Sequence, residues 1–531
     1  MGLNRRVHMA PADPHFSYLP TLLACVTRSF FSFLDRIPYL ILRTMGSQTS
    51  KPAVAPRAIK AAPVQTLSEK PLIEAPPVDP PEDEDPNETY ASVTTSSLNR
   101  WHSSLEANPT LLLSRLVLSN IDPVASLASR SALVDDEKSF NVMLKGVGPK
   151  GEYPGPRVNQ AQSGRCWLFA TTNVLRYNII ETLKLGDFQL SQSYLFFYDK
   201  LEKSNYYLET VMELVDEPID GRLMSYFNSS PIGDGGQWDM AYNLIEKYGI
   251  IPQTAYPESF SSSSSNQMDR LITSKLREYA LLLRAASASG SASSMSASSL
   301  RRMKLNFLSE IYSTLSITLG SPPKPDEPIT WNYDDRDGKF HTWTGTPKQY
   351  VINDPRNEFG KLYTVKKLGN VWGGRPVRYV NIPIEEMENA VIAGIKANTP
   401  LFFGCDSSKF AERNRGVWDT RLYDYKMAYG YDLQMNKAQR LIMSDSSAGH
   451  AMVITAVHLD ESGRPIKYKI ENSWSDTAGE KGWFMMTASW FREYVFQVVI
   501  PRSVADKKWT TILDGQDLIE LDPWDPMGAL A

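Results

Sequence analysis

Cys166 stands where a polar turn meets an apolar helical pattern, and a thiol in that position can do chemistry. The stretch NQAQSGRCWLFATTNVLR, residues 159–176, places Gln160 six residues before the thiol and Trp167 directly after it. From Ala170 onward Leu175, Ile179 and Leu183 recur at helical spacing, and Gly186 marks the expected stop. A thiol at a helix N-terminus lies at the positive end of the macrodipole, which favours the nucleophilic thiolate. Gly164 and Arg165 add backbone freedom and a second positive charge. A lone cysteine beside Trp and Leu is otherwise a small buried hydrophobe. The chemical reading therefore requires a base for the thiol proton, a group that orients the base, and donors for an oxyanion.

The chain has only six histidines, so the search for the base is short. His8 and His15 lie in an N-terminal extension, His102 follows a polar stretch, and His341 sits in the charged, turn-like DDRDGKFHTW. His450 differs, because SSAGHAMVITAVHLD sets it after a small-residue turn at the head of a strand pattern, Ala451–Val457. His458 closes that run and is expected to face solvent. After Glu461-Ser462-Gly463-Arg464 the chain returns as PIKYKIENSWSD, a strand–turn–strand signature. Folding the hairpin about Ser462-Gly463 brings Asn472 to about three residues from the position opposite His450, roughly 10 Å along the strand. Asn472 could then accept from one imidazole nitrogen while the other faces Cys166. Trp474 would shield that bond from water.

Gln160, Cys166-Trp167, His450 and Asn472-Ser473-Trp474, in that order, resemble the papain-type cysteine peptidases. Within them the chain resembles the bleomycin hydrolase family of cysteine aminopeptidases. The matching phrases are GRCWLFA (164–170), GGQWDMAYNLIEKYGIIP (235–252), GHAMVITAV (449–457), ENSWSDTAGEKGWFMMTASWF (471–491) and the tail DPWDPMGALA (522–531), and the resemblance covers roughly residues 90–531. Two departures stand out. Gly164-Arg165 replaces the usual Gly-Ser pair, and the distance from cysteine to histidine is far longer than in papain, which implies a large insertion.

The resemblance implies an α+β papain-like fold, with a helical half carrying Cys166 and a β-rich half carrying His450 and Asn472. It implies Gln160 as the oxyanion-hole side chain, and Gly235, Gly236 and Trp474 as substrate-binding residues. A large helical insertion would span about 200–370, and a C-terminal arm, about 515–531, would seat Ala531 in the cleft against a substrate's free amino group. It further implies broad aminopeptidase specificity, extending to bleomycin-type amides or homocysteine thiolactone, and assembly as a homohexamer. Two other readings stay open: a papain-like endopeptidase with an open cleft, or a nucleic-acid-binding oligomer with secondary peptidase activity. Lys366-Lys367 and Arg301-Arg302 are the candidate basic residues for the latter, and as charge runs they read first as solvated surface.

Composition narrows the field without deciding it. A 531-residue chain is long enough for more than one core, and three widely spaced cysteines offer no disulfide framework. The net charge of −4 neither requires nor excludes nucleic acid. No His/Cys/Asp/Glu group has metal-ligand spacing, and the chemistry expected of Cys166 needs neither metal nor cofactor. Residues 1–44 carry five arginines against Asp13 and Asp35, interleaved with aromatic and aliphatic residues. Their longest nearby charge-free run, Pro14–Thr27, is shorter than the roughly 20 residues a membrane span needs. The leader reads as a mitochondrial presequence or as an extension without a role. Met45 opens MGSQTSK, a myristoylation pattern if translation began there, so cytoplasmic and mitochondrial forms are both expected. Residues 45–88, rich in Ala and Pro and then acidic, read as a linker before a peptidase domain at 89–531.

Farther along, residues 268–284, 300–319 and 385–398 show helical periodicity. PLFFGCD reads as a buried strand with Cys405 as core packing. SSSSS at 261–265 and AASASGSASSMSASS at 285–299 read as flexible surface loops.

Overall fold

A computed structural model describes residues 93–145, 158–287, 295–347, 362–515 and 518–529. The leader and linker assigned to 1–88 lie outside these residues, as do Leu530 and Ala531 at the other end. No helix among the described residues is long and apolar enough to cross a membrane.

The expected α+β plan is present. A helical half is built on Cys166–Leu183, Gln192–Glu213 and Trp238–Tyr248, with Asn266–Ser287 and Ala297–Leu319 packed on the second of these. The β half is a mainly antiparallel sheet. Its strand order is Val495–Val498, Leu401–Cys405, His450–Leu459, Pro465–Glu471, Trp483–Thr487, Val417–Trp418 and Ala411–Glu412, and Val142–Met143 also joins the third of these. Leu401–Cys405 is buried at every position, and His450–Leu459 is buried from His450 to Val457. Neither strand alternates in burial, because the Cys166–Leu183 helix and the Ile384–Lys396 helix both pack against this region. A strand covered on both faces reads as a continuous apolar run.

Several local expectations are corrected. The nucleophile helix begins at Cys166 itself and ends at Lys184 in the left-handed conformation (φ 51°), two residues before the glycine expected to stop it. The 261–265 serines are no loose loop. Ser259 and Ser262 form a reciprocal capping box around the helical turn Phe260–Ser263, Ser262 and Ser265 are buried, and Ser265 Oγ donates to Asp234. Serine runs read as flexible because they lack apolar mass, but a hydroxyl can also cap a helix or satisfy a buried carboxylate. The segment between the helices and Ile384–Lys396 is not wholly helical either, since Ile329–Asp334 and Phe340–Gly345 pair as an antiparallel hairpin containing His341. His458 is only partly exposed, with its Nδ1 buried. Of the loop expected at 285–299, residues 288–294 lie outside the description, while its flanks extend the two neighbouring helices.

The two halves are tied by a buried ion pair. Arg176, on the helix that starts at Cys166, donates through Nη2 to Glu471 Oε1, on the strand that runs into Asn472. Both side chains are almost wholly removed from solvent. Such a pair adds little net stability over an apolar isostere, but losing one partner leaves a bare buried charge. Glu471→Leu is expected to lower unfolding free energy by about 3–5 kcal/mol, checked by equilibrium denaturation. The double variant Arg176→Met/Glu471→Leu should recover most of that loss.

Candidate active site

The Asn-Ser-Trp tripeptide builds the base side of the site one residue at a time. Asn472 Oδ1 lies 2.9 Å from His450 Nε2 and also accepts the Ser473 backbone N–H at 2.7 Å. The second bond locks the amide with its oxygen toward the ring, so Nε2 must carry the proton and Nδ1 is left as the basic nitrogen. Ser473 Oγ donates to Gln160 Oε1 at 2.6 Å, and the two residues also share a backbone bond, Gln160 N–H to Ser473 O, at 2.9 Å. Trp474 stacks on His450 with ring centroids 4.8 Å apart. Trp474 also contacts Trp418, Phe484 and the Arg413 guanidinium.

A simple hairpin leaves Asn472 three residues from His450's partner position, and the structure closes part of that gap. Lys469 pairs with Ala456, but Ile470 pairs with Ile454, so Thr455 is an extra residue on the His450 strand. Ile466 is in turn an extra residue on the returning strand, and the two shifts offset each other, so Glu471 pairs with Val453 and Asn472 lies two positions from His450's partner position, near enough for their side chains to bond.

On the nucleophile side, backbone N–H groups of Ala451, Trp167 and Cys166 surround the thiol. Ala451 follows His450 directly, so the thiol lies against the head of the His450 strand. Gln160 is oriented by a reciprocal brace, its Nε2 donating to Ser163 O at 2.8 Å and Ser163 Oγ donating to Gln160 O at 2.6 Å. One Nε2 proton remains for a ligand. Arg165 does not supply the charge expected of it. Its guanidinium is fully buried, bridged twice to Glu258 at 2.9 and 3.0 Å, and packed over Phe169 and Phe196. It fixes the turn before Cys166 and is neutralised there.

Burial works against both charged forms of the central pair. It pushes the Cys166 thiol up to about 11, against the three N–H groups that pull it down, and Asp234 adds to the rise. Burial also holds His450 down to about 4, against the Asn472 hydrogen bond and with repulsion from Arg413. Burial thus disfavours the charged form of each group taken alone.

Facing the nucleophile is a wall that sequence reasoning found only in part. A Cβ on Gly236 would fall 2.4 Å from the Trp167 ring, so only glycine lets the backbone lie there. Gly235 contributes its carbonyl, which accepts from Lys203 Nζ at 2.7 Å. Asp234 escaped notice. Its backbone oxygen accepts the Trp167 indole N–H, and its carboxylate accepts Gly164 N–H, Ser265 Oγ and Lys200 Nζ. Burial alone would raise that carboxyl, but Lys200 and the bonds from Asp269 and Ser265 hold it well below the usual range. Lys200 and Lys203 are themselves buried, held by Asp234, Asp269 and Asp199. A cavity of about 770 Å³, lined in part by Ser163, Gly164, Gly233, Asp234 and Asp269, opens beside this wall. The acidic residue immediately before Gly235-Gly236 was the one available signal.

Ala529 is the last described residue of the C-terminal arm, and its carbonyl accepts from Nε2 of Gln237, which directly follows Gly236. Cys405 lies in the core with no exposure, paired in register with His450.

Kinship agrees with this geometry. The profile of the Peptidase C1-like family matches residues 92–528. The chain belongs to that family. It is 38% identical to cysteine proteinase 1, mitochondrial, of Saccharomyces cerevisiae, covering 83% of this chain and 93% of the relative. It is 36% identical to aminopeptidase C of Streptococcus thermophilus (83% and 99% covered) and 36% identical to bleomycin hydrolase of Gallus gallus (80% and 96% covered). Among solved structures, PepW of Lactobacillus rhamnosis superposes with a TM-score of 0.77 at 37% identity, over 83% of this chain and all of that one. This chain is accordingly a cysteine peptidase with a papain-like α+β fold.

His450 also makes a stability prediction. A histidine held near 4 when folded and near its ordinary 6.5 when unfolded takes up its proton more readily in the unfolded chain. Between those values unfolding therefore binds protons, and stability falls as pH drops from 6.5 toward 4, by up to about 3 kcal/mol. Denaturation of the protein and of His450→Gln across that window should show the variant losing this part of the slope.

Proposed function

We propose that the chain is a cysteine aminopeptidase that removes residues one at a time from the free N-terminus of peptides. The observation that carries the exopeptidase reading is the bond between Ala529 and Gln237, which ends the described arm beside the Gly235-Gly236 wall. Cys166 attacks the scissile carbonyl as thiolate while His450 Nδ1 takes its proton. Asn472 keeps the ring in the required tautomer, and Trp474 keeps water from the bond between them. The free Nε2 proton of Gln160 and the Cys166 backbone N–H receive the oxyanion. His450 then protonates the leaving amine, and water hydrolyses the thioester. The Ala531 carboxylate, which lies outside the described residues, faces the substrate's ammonium and favours it over an internal amide. Broad specificity is supported by kinship with proteins named aminopeptidase C and bleomycin hydrolase. Bleomycin-type amides and homocysteine thiolactone are included in that proposed range.

We further propose a mitochondrial form directed by residues 1–44 beside a cytoplasmic one. Its support is the leader's basic, acid-poor composition and the word mitochondrial in the yeast relative's name. Assembly as a homohexamer is supported by exposed apolar side chains. The helices Thr95–Glu106 and Pro109–Leu118 bury no residue, and they present Leu98, Trp101, Leu113 and Leu116 to solvent. Met427, Tyr431 and Leu433 extend the apolar surface, near where Leu111 approaches Gly430. For nucleic acid the support is slight: Lys367 is already paired with Glu213 at 2.8 Å, while Arg301 and Arg302 stand exposed.

Two outcomes test the peptidase reading. Cys166→Ser and His450→Ala should each abolish peptide hydrolysis, and Asn472→Ala should retain more activity because it acts through the base. A different ordering of the three kcat/KM values would overturn the roles. Deleting Leu530-Ala531 should weaken binding of free amino-terminal substrates and permit cleavage of N-acetylated peptides. Should the full chain already cleave blocked and free peptides alike, the endopeptidase reading wins.

A further inference from the structure

The arm is held by a chain of side chains that begins on the strand next to the base. Gly404, on Leu401–Cys405, pairs on one side with Ala451, the neighbour of His450, and on the other with Gln497 of Val495–Val498. A Cβ at Gly404 would lie 2.5 Å from Gln497 Nε2, so only glycine lets the Gln497 side chain lie across the strand. From there Gln497 Nε2 donates to Gln237 Oε1 at 2.7 Å, and Gln237 Nε2 donates to Ala529 O. Gln237 is 1% exposed, and it follows the glycine whose backbone rests on Trp167. With its oxygen engaged by Gln497, its amide can present only N–H to the arm. Behind Ala529 the approach is also fastened. Arg222 lies 3.9 Å over the Trp524 ring, and Leu518–Leu521 pairs in parallel with Leu362–Val365.

We infer that Gln237 and Gln497 are specificity-determining positioning residues. They register the chain terminus against the cleft and so decide whether the enzyme reads a free amino end. The inference rests on the aminopeptidase reading and adds the device that enforces it. The bond to Gln237 holds the arm at Ala529, so the glutamine pair fixes where the arm meets the cleft wall at Gly236. Neither glutamine takes part in bond making; each acts through the arm. Gln237→Glu is the sharpest probe, since it keeps the size and the acceptor for Gln497 but sets a carboxylate oxygen against the Ala529 carbonyl.

For Gln237→Glu in the full chain, KM for a dipeptide amide with a free amino terminus should rise at least fivefold while kcat stays within twofold. The ratio of N-acetylated to free peptide cleavage should rise at least tenfold. Trimming of the last two residues by carboxypeptidase, followed by mass spectrometry, should accelerate at least fivefold. Gln497→Met, which touches neither the arm nor Cys166, should shift all three readouts in the same direction, and it serves as the test if Gln237→Glu does not fold. A folded Gln237→Glu, or otherwise Gln497→Met, with unchanged KM, ratio and trimming rate overturns the clamp. If deletion of Leu530-Ala531 still opens the cleft in that case, the aminopeptidase reading survives without it. If that deletion also changes nothing, the reading itself has failed.

Discussion

The structure turns on the burial of one helix end. The first turn of Cys166–Leu183 is pressed against the His450 strand on one side and the glycine wall on the other, with no solvent left on Trp167. A buried helix N-terminus leaves N–H groups that need partners. Here the thiol is one of the acceptors they meet, so the same packing that satisfies the backbone also holds the nucleophile. Trp167 links the two sides, because its ring excludes a Cβ at Gly236 and its indole N–H reaches Asp234. Moving the helix would break the wall, the thiol's surroundings and the Arg176–Glu471 tie together.

Charge is placed inside this fold to position backbone rather than to do chemistry. Lys200 and Lys203 reach carbonyls of Ile232, Gly233 and Gly235 as well as carboxylates, so the wall is pinned by cations from the neighbouring helix. Arg165 and Glu258 do the same for the turn before Cys166. Buried charges are costly unless compensated, and each of these meets an opposite charge within hydrogen-bond distance. Cys166 and His450 differ, since burial disfavours the charged form of each and no ion pair among the described residues offsets it.

The side chains of Asn472, Ser473 and Trp474 meet His450 Nε2, Gln160 Oε1 and the His450 ring face in turn, in a register that includes two offsetting extra residues, Ile466 and Thr455. The arm is held by amides rather than charges, which suits a contact that must be directional yet costs little to bury.

The sequence by itself determined the chemistry and its outline. Cys166 before an apolar helical run, His450 at a strand head and Asn472 at the end of a returning hairpin are local patterns, and side-chain type with chain period is enough to read them. Tertiary structure decided what depends on partners distant in sequence. That Arg165 is neutralised follows from Glu258, that the 261–265 serines are ordered follows from Asp234 and Glu258, and that Gly236 must be glycine follows from the Trp167 ring. The bulge at Thr455 also lay beyond sequence reading, because a hairpin's turn sets its register only until an extra residue intervenes. Periodicity reports which face of an element is apolar, but not which charge will lie against it, so the buried ion network and the Gln497–Gln237–Ala529 relay became visible only once the elements were packed.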